Sequence, residues 1–400
     1  MQRLPSSLTR RRFLLSTGAL AAGAALPTAL FAHTGGSARF VVIILRGALD
    51  GLAAVPPYGD RAYSDLHREL AIAAPGAADG ALMLDDIFGL HPSLAFLHER
   101  YAARELVVFQ AVASPYRDRS HFDGQNVLEN GLAKPLGSAD GWLNRALAAM
   151  PRGSGRPGER AVAISQNVPL ILRGEAPVFS KSPQNTPDVD EDLLARLADL
   201  YSKDDWFSAR LSEAEQTGKL ASEGYAPASD RVSGVARMAA TLMRSDGGPE
   251  VAVIEAGGWD THANQGGAKG VLAQRLAQLD KALRTLADEL GTLWPLTAVL
   301  VVTEFGRTAA MNGTRGTDHG TGGAAFLVGG AVSGGRVIAD WPGLQAAALL
   351  DNRDLRPTLD LRSVFKTVLD EHMRVDARTL SARIFPDSSS ARPLQGLIRA

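Results

Sequence analysis

Six short apolar runs, broken only by Gln110, constrain this chain more than any other feature: residues 40–45, 106–112, 161–164, 251–254, 298–302 and 324–328. A half-exposed strand alternates apolar and polar residues, whereas an unbroken run suits a strand buried on both faces, as in a parallel sheet covered by helices. Helical patterns or loops separate most of the runs. The clearest is residues 271–290, where Leu272, Leu276, Leu279, Leu283, Leu286 and Leu290 recur at alternating spacings of four and three. Lying between two expected buried strands, this stripe is read as core packing on a sheet face rather than as a coiled coil. Residues 360–373 repeat the pattern with Leu361, Val364, Phe365, Val368 and Leu369. The alternation predicts an α/β fold with a mainly parallel sheet. Residues 179–249 hold helical pieces at 191–201 and 231–243 and no convincing buried strand, so a helical insertion or cap is expected there.

The N-terminus reads Thr9-Arg10-Arg11-Arg12-Phe13-Leu14 and continues through an apolar, Ala-rich stretch to Ala32 without a charge. This is the twin-arginine export pattern. Gly18, Gly23 and Pro27 suit a weakly hydrophobic signal better than a stable membrane helix. Residues 1–32 are therefore expected to be a signal peptide cleaved near Ala32, with an uncleaved anchor as the alternative. The expected partner during export is the twin-arginine translocase, and the expected location is the periplasm or otherwise outside the cytoplasm. The mature domain spans residues 33–400, with no stable transmembrane span expected.

Of its 400 residues, 45% are hydrophobic and 21% charged, enough to build a large core without signs of disorder. A net charge of -1 gives no broad attraction for nucleic acid or anionic lipid, so nucleic acid is not an expected partner. Zero cysteines exclude disulfides, thiolate metal sites and a cysteine nucleophile. Any metal must be held by oxygen and imidazole.

Ligands of open α/β sheets bind beyond the carboxyl ends of the strands. Three carboxylates follow apolar runs: Asp50, Asp260 and Glu304. Thr317-Asp318-His319-Gly320 precedes another run, and His262 stands near Asp260. Carboxylates and imidazoles converging from separate strand ends suit a divalent cation, without which their clustered charge is costly. Each residue also has a structural reading. Asp50-Gly51 can be a turn, Glu304 can pair with Arg307, Asp318 can cap a turn, and both histidines can be hydrogen-bonded core residues.

With Arg119-Ser120-His121-Phe122-Asp123 upstream, three further segments, Gly258-Trp259-Asp260-Thr261-His262-Ala263-Asn264-Gln265, Thr303-Glu304-Phe305-Gly306-Arg307-Thr308 and Gly316-Thr317-Asp318-His319-Gly320, resemble an uncharacterised family. It is a domain-of-unknown-function family of often twin-arginine-exported bacterial proteins in the alkaline-phosphatase/sulfatase superfamily. The resemblance covers nearly all of the chain after the signal. It implies an alkaline-phosphatase-like three-layer fold with a mainly parallel sheet and a helical insertion. It also implies metal ligands drawn from Asp50, Asp260, His262, Glu304, Asp318 and His319, with Ser120 as nucleophile at a helix start. A helix N-terminus would favour an anionic ester there, although an ordinary N-cap serine is the alternative. His121 is implied as a ligand or proton donor. Arg307, Arg117 and Arg119 are the guanidinium groups available for an oxyanion.

Two departures from the superfamily pattern matter. Only Thr261 separates Asp260 from His262, a pair often spaced more widely, and Glu304-Phe305 stands where Asp-His is expected. A two-metal site is therefore altered, reduced to one metal or lost. Formylglycine sulfatase chemistry is disfavoured, because Ser114-Pro115-Tyr116-Arg117 is one residue too short for C/S-x-P-x-R. No phosphate-loop or dinucleotide fingerprint is present. The implied function is an exported, metal-dependent hydrolase of a small-molecule or envelope phosphate or related ester. Zinc, manganese, magnesium and calcium all stay open as the metal. The alternatives are a non-catalytic exported binding or assembly protein with a degenerate site, or an envelope phospho-group transferase.

Overall fold

Strand β1 (Arg39–Arg46) buries every residue from Phe40 to Leu45. Because successive strand side chains point to opposite faces, Phe40, Val42 and Ile44 enter one core while Val41, Ile43 and Leu45 enter another. Two cores on either side of one sheet make a three-layer α/β architecture. The chain is seen here in a computed structural model that describes residues 38–150, 160–182 and 231–399.

After β1 come α1 (Gly51–Ala54), α2 (Arg61–His67), the short hairpin β2 (Leu82–Met83) and β3 (Gly89–Leu90), α3 (Ala95–Ala102) and β4 (Leu106–Ala113). There follow α4 (His121–Asn130), α5 (Trp142–Ala149), β5 (Ala161–Ile164), β6 (Phe179–Ser180), α6 (Arg231–Arg244) and β7 (Val251–Gly257). The chain continues through α7 (Val271–Leu290), β8 (Thr297–Thr303), β9 (Gly323–Val328), β10 (Arg336–Ile338), β11 (Leu359–Asp360) and α8 (Leu361–Glu371). All six apolar runs are strands of one nine-stranded sheet in the order β10-β4-β9-β8-β1-β7-β5-β6, with β11 paired to β4.

The sheet is mainly parallel, as expected. Strand β1 runs parallel to both β7 and β8, whereas β9 is antiparallel to β8 and β4. The six stripe leucines of α7 are all buried. They pack with α6 over one sheet face, while α5 and α8 contribute to the opposite core. Burying each leucine contributes about 1.5–3 kcal/mol, so the stripe is a major anchor of its layer.

Residues 1–32, read as the signal, lie outside the described residues, as does 183–230 of the expected insertion. Of the residues expected to form that insertion, β6 adds a strand to the edge of the main sheet beside β5, and α6 packs beside α7 in the layer covering the sheet. The apolar face of α6, including Val235, Ala239, Leu242 and Met243, is buried there. Among the described residues, no helix is long and apolar enough to cross a membrane.

Topology decides where chemistry can gather. Since β1, β4, β7 and β8 share one direction, their carboxyl ends open on the same edge, where β9, running oppositely, begins. Five chain segments thus meet there: the turn after β1, the loop from β4 to α4, the loops after β7 and β8, and the residues leading into β9.

Candidate metal centre

His121 opens α4, Asp260 and His262 follow β7, and His319 precedes β9. Their ring nitrogens meet. His319 Nε2 lies 2.9 Å from His121 Nε2 and 2.9 Å from His262 Nε2. Asp260 closes the group, with Oδ1 2.9 Å from His262 Nε2 and 3.3 Å from His319 Nε2, and Oδ2 3.3 Å from His121 Nε2. Among the described residues, His121, Asp260 and His319 form a donor cluster of the size that holds an ion, and the contacts of His262 add it to them.

The outer nitrogen of each imidazole has an acceptor. Nδ1 faces Glu304 Oε1 at 2.8 Å in His121, Asp318 Oδ1 at 3.3 Å in His262, and the Arg119 carbonyl oxygen at 3.0 Å in His319. A carbonyl or carboxylate only accepts, so a ring whose Nδ1 donates outward to such a partner keeps its Nε2 available to an ion at the centre. This is the arrangement in which an outer acceptor orients a metal-binding histidine and raises its basicity. The donor set of imidazole nitrogen and carboxylate oxygen fits a divalent transition metal.

The charges around the centre are tuned. The hydrogen bond to Glu304 raises the His121 pKa against the opposing effect of burial. Burial, followed by repulsion from His121, lowers that of His319. These opposite directions are those of neighbouring imidazoles that do not both charge. Burial would raise the Asp260 pKa, but the Arg307 hydrogen bond and charge override it and keep the carboxylate ionised.

Glu304 was expected as a metal ligand, and the structure instead places it behind His121, on the side of the ring away from the cluster. Its Oε1 accepts from His121 Nδ1, from Gly47 N at 2.9 Å and from Gln125 Nε2 at 3.1 Å, while Oε2 accepts from the Thr303 hydroxyl at 2.9 Å. Burial opposes ionisation, but these bonds hold the Glu304 pKa below its ordinary value. Asp318 likewise stands behind His262, with Asn312 Nδ2 donating to it at 2.9 Å.

Asp50 does not join the cluster. It caps α1, its Oδ1 accepting from the Leu52 and Ala53 amides, while its Oδ2 faces His67 Nε2 at 3.3 Å and Gln265 Nε2 at 2.7 Å. The capping geometry that made Asp-Gly read as a turn consumes this carboxylate.

Arg307 corrects a second expectation. Its side chain is buried, with Nε bonded to Thr317 Oγ1, Nη2 to the Thr317 carbonyl and Nη1 to Asp260. Those bonds occupy the guanidinium and make it a positioning group for Asp260 rather than an oxyanion binder. Its carboxylate partner is Asp260, not Glu304. Arg119 is also engaged: Nε donates to Asp354 at 2.8 Å, and the residue takes a left-handed φ of 62° while presenting its carbonyl to His319.

Ser120 occupies the N-cap position of α4 without a side-chain capping bond. Its peptide lies between the Arg119 carbonyl and His121, both of which touch the cluster. Phe305, in place of the expected histidine, is buried against the rings of His121 and His319 at centroid distances of 5.0 and 5.3 Å. Asp50 and Glu304 are thus bonded outside the cluster, which gathers His121, Asp260, His262 and His319.

The glycines of Gly316-Thr317-Asp318-His319-Gly320 permit close loop packing. A Cβ at Gly316 would lie 2.3 Å from the His262 carbonyl oxygen, and one at Gly320 2.3 Å from that of Arg307. Sequence reading missed Gln125, Asn312, Gln265, His67 and Thr317 as supports. Gln125 had a usable signal, since it stands one helical turn after His121 on α4. The others come from loops or separate elements with no shared spacing.

The profile described as "Protein of unknown function (DUF1501)" matches residues 37–384. The chain belongs to this family. The DUF1501 match includes every residue of the centre, and no curated protein matches the chain. Among solved structures, it is similar to the phosphonate monoester hydrolase of Agrobacterium radiobacter at 11% identity and TM-score 0.41, covering 84% of this chain and 74% of that one. Similarity to the C-terminal periplasmic domain of EcEptC from Escherichia coli, in complex with Zn, is at 10% identity and TM-score 0.35, with 74% and 73% covered. Similarity to the PsFucS1 sulfatase from Pseudoalteromonas sp. is at 13% identity and TM-score 0.36, with 98% and 78% covered.

Proposed function

We propose that this DUF1501 protein is an exported, metal-dependent hydrolase of a phosphate or related ester, with one divalent cation held by His121, His262, His319 and Asp260. The convergence of three inward Nε2 atoms with the Asp260 carboxylate carries the reading. Imidazole-rich ligation favours zinc over magnesium or calcium. Export rests on the Arg10-Arg11 pair and the weakly apolar stretch behind it.

A bound cation would polarise an ester oxygen and lower the pKa of a water or hydroxyl. Glu304, Asp318 and the Arg119 carbonyl fix the imidazoles, and Arg307 fixes Asp260. The free first-turn amides and positive end of α4 favour an anionic ester beside His121. Ser120 is the candidate nucleophile, with water as the alternative attacking group. Attack forms the new bond to phosphorus or sulfur as the ester bond breaks, and the departing alcohol takes the proton given up by the attacking hydroxyl or water; where Ser120 attacks, a water then displaces the serine oxygen, which recovers a proton, and the acid product is released. Side-chain exposures of 43% for His262 and 41% for Asp260 favour catalysis over a sealed structural site.

The test is a screen of zinc-reconstituted protein against phosphomonoesters, phosphodiesters, phosphonates and sulfate esters, with Ser120→Ala and His319→Ala in parallel. Turnover of one class is expected, with loss of zinc and turnover together in His319→Ala. Loss of turnover with zinc retained in Ser120→Ala identifies serine as nucleophile, whereas retained turnover identifies water. A zinc-loaded wild type inactive on every class contradicts the hydrolase reading and supports the binding-protein alternative.

A further inference from the structure

Helix α4 lines a groove as well as placing His121. Phe122, Gln125, Asn126 and Glu129 follow the i, i+3, i+4, i+7 spacing of one helical face, and all four line a groove of about 500 Å³. Arg46 and Glu255, from the carboxyl ends of β1 and β7, also line it. The groove therefore opens at the sheet edge that carries the metal centre. Gln125 joins the two directly: its Oε1 accepts from Arg46 at 3.0 Å, and its Nε2 donates to the Glu304 oxygen that holds His121.

Its polar lining offers both acceptors and donors, Glu129 and Glu255 beside Arg46 and Arg173. Arg46 lies between Glu129, 2.7 Å from Nη1, and Glu255, 2.7 Å from Nε. Both Arg46 bonds to Glu255 run to Oε1, and among the described residues Oε2 has no hydrogen-bond partner. Beside this polar surface, Phe122 is 89% exposed, leaving an aromatic face uncovered at the residue following His121. An uncovered ring beside carboxylate and amide groups matches a molecule with hydroxyl donors around its edge and C–H groups on its face.

We infer that this groove binds the alcohol portion of the ester as a sugar-like polyol, stacked on Phe122 and hydrogen-bonded to Glu255. Assignment of that polyol as the leaving group rests on the hydrolase reading. Binding itself requires no turnover.

The experiment is saturation-transfer difference NMR on zinc-reconstituted protein with methyl glycosides of glucose, galactose, mannose and fucose. Choline and benzyl alcohol serve as cationic and purely apolar comparisons. At least one glycoside should receive saturation through its ring C–H protons. Phe122→Ala should remove at least half of that transfer without changing zinc content, and Glu255→Gln should weaken binding several-fold. Absence of transfer to every glycoside, transfer only to choline or benzyl alcohol, or an unchanged signal in Phe122→Ala overturns the inference. Glycoside binding without hydrolysis in the ester screen would contradict the proposed activity and leave the groove assignment standing; hydrolysis without glycoside binding would do the reverse.

Discussion

Glu304 Oε1 accepts from His121 Nδ1 at 2.8 Å, making a buried carboxylate the support of an imidazole that faces the centre. Glu304→Gln removes the negative charge and introduces an amide among the donors Gly47, Gln125 and Thr303. The folded chain should remain, but zinc affinity should fall about 10- to 100-fold, as expected when an outer-shell partner is lost. Competition with a chromogenic chelator measures this directly. Unchanged affinity would show that Glu304 does not orient a ligand.

Arg307→Met should lower stability by roughly 2–4 kcal/mol, because it breaks a charge-assisted bond and strands the buried carbonyl oxygen of Thr317. Urea denaturation of the metal-free protein isolates this loss from metal binding. An unchanged midpoint would contradict the positioning role given to Arg307.

The Asp50–His67 pair predicts a pH signature away from the centre. Burial opposes charge on both groups, but Asp50 raises the His67 pKa above 6.5 and His67 lowers the Asp50 pKa below 3.8. The His67 contribution is full below about 6.5 and is lost as pH rises through its raised folded value. The Asp50 contribution is present above about 3.8 and is lost as pH falls through its depressed folded value. Denaturation midpoints across pH should therefore lose stability on the alkaline side in the wild type. His67→Gln should flatten that limb, and an identical limb in both proteins would refute the coupling.

The two-sided burial of β1 and the leucine stripe of α7 were legible because strand and helix periodicities are local. His319 and Asp260 were legible as donors near strand ends. Their ranking was not, since Asp50, Glu304 and Asp318 carry the same chemistry and occupy similar sequence positions. Only tertiary placement distinguishes a carboxylate that caps a helix or supports an imidazole from one that faces the centre. Arg307 shows the same limit: sequence supplies a guanidinium, while its bonds to Asp260 and Thr317 determine what it is free to do.

Zinc content per chain tests the central claim most directly, measured by mass spectrometry after reconstitution and desalting for wild type and His319→Ala. The account predicts one zinc per wild-type chain and little retained zinc in the variant, because His319 Nε2 contacts both other imidazoles and Asp260. A wild type that retains no zinc, or a His319→Ala chain that retains a full equivalent, would contradict it.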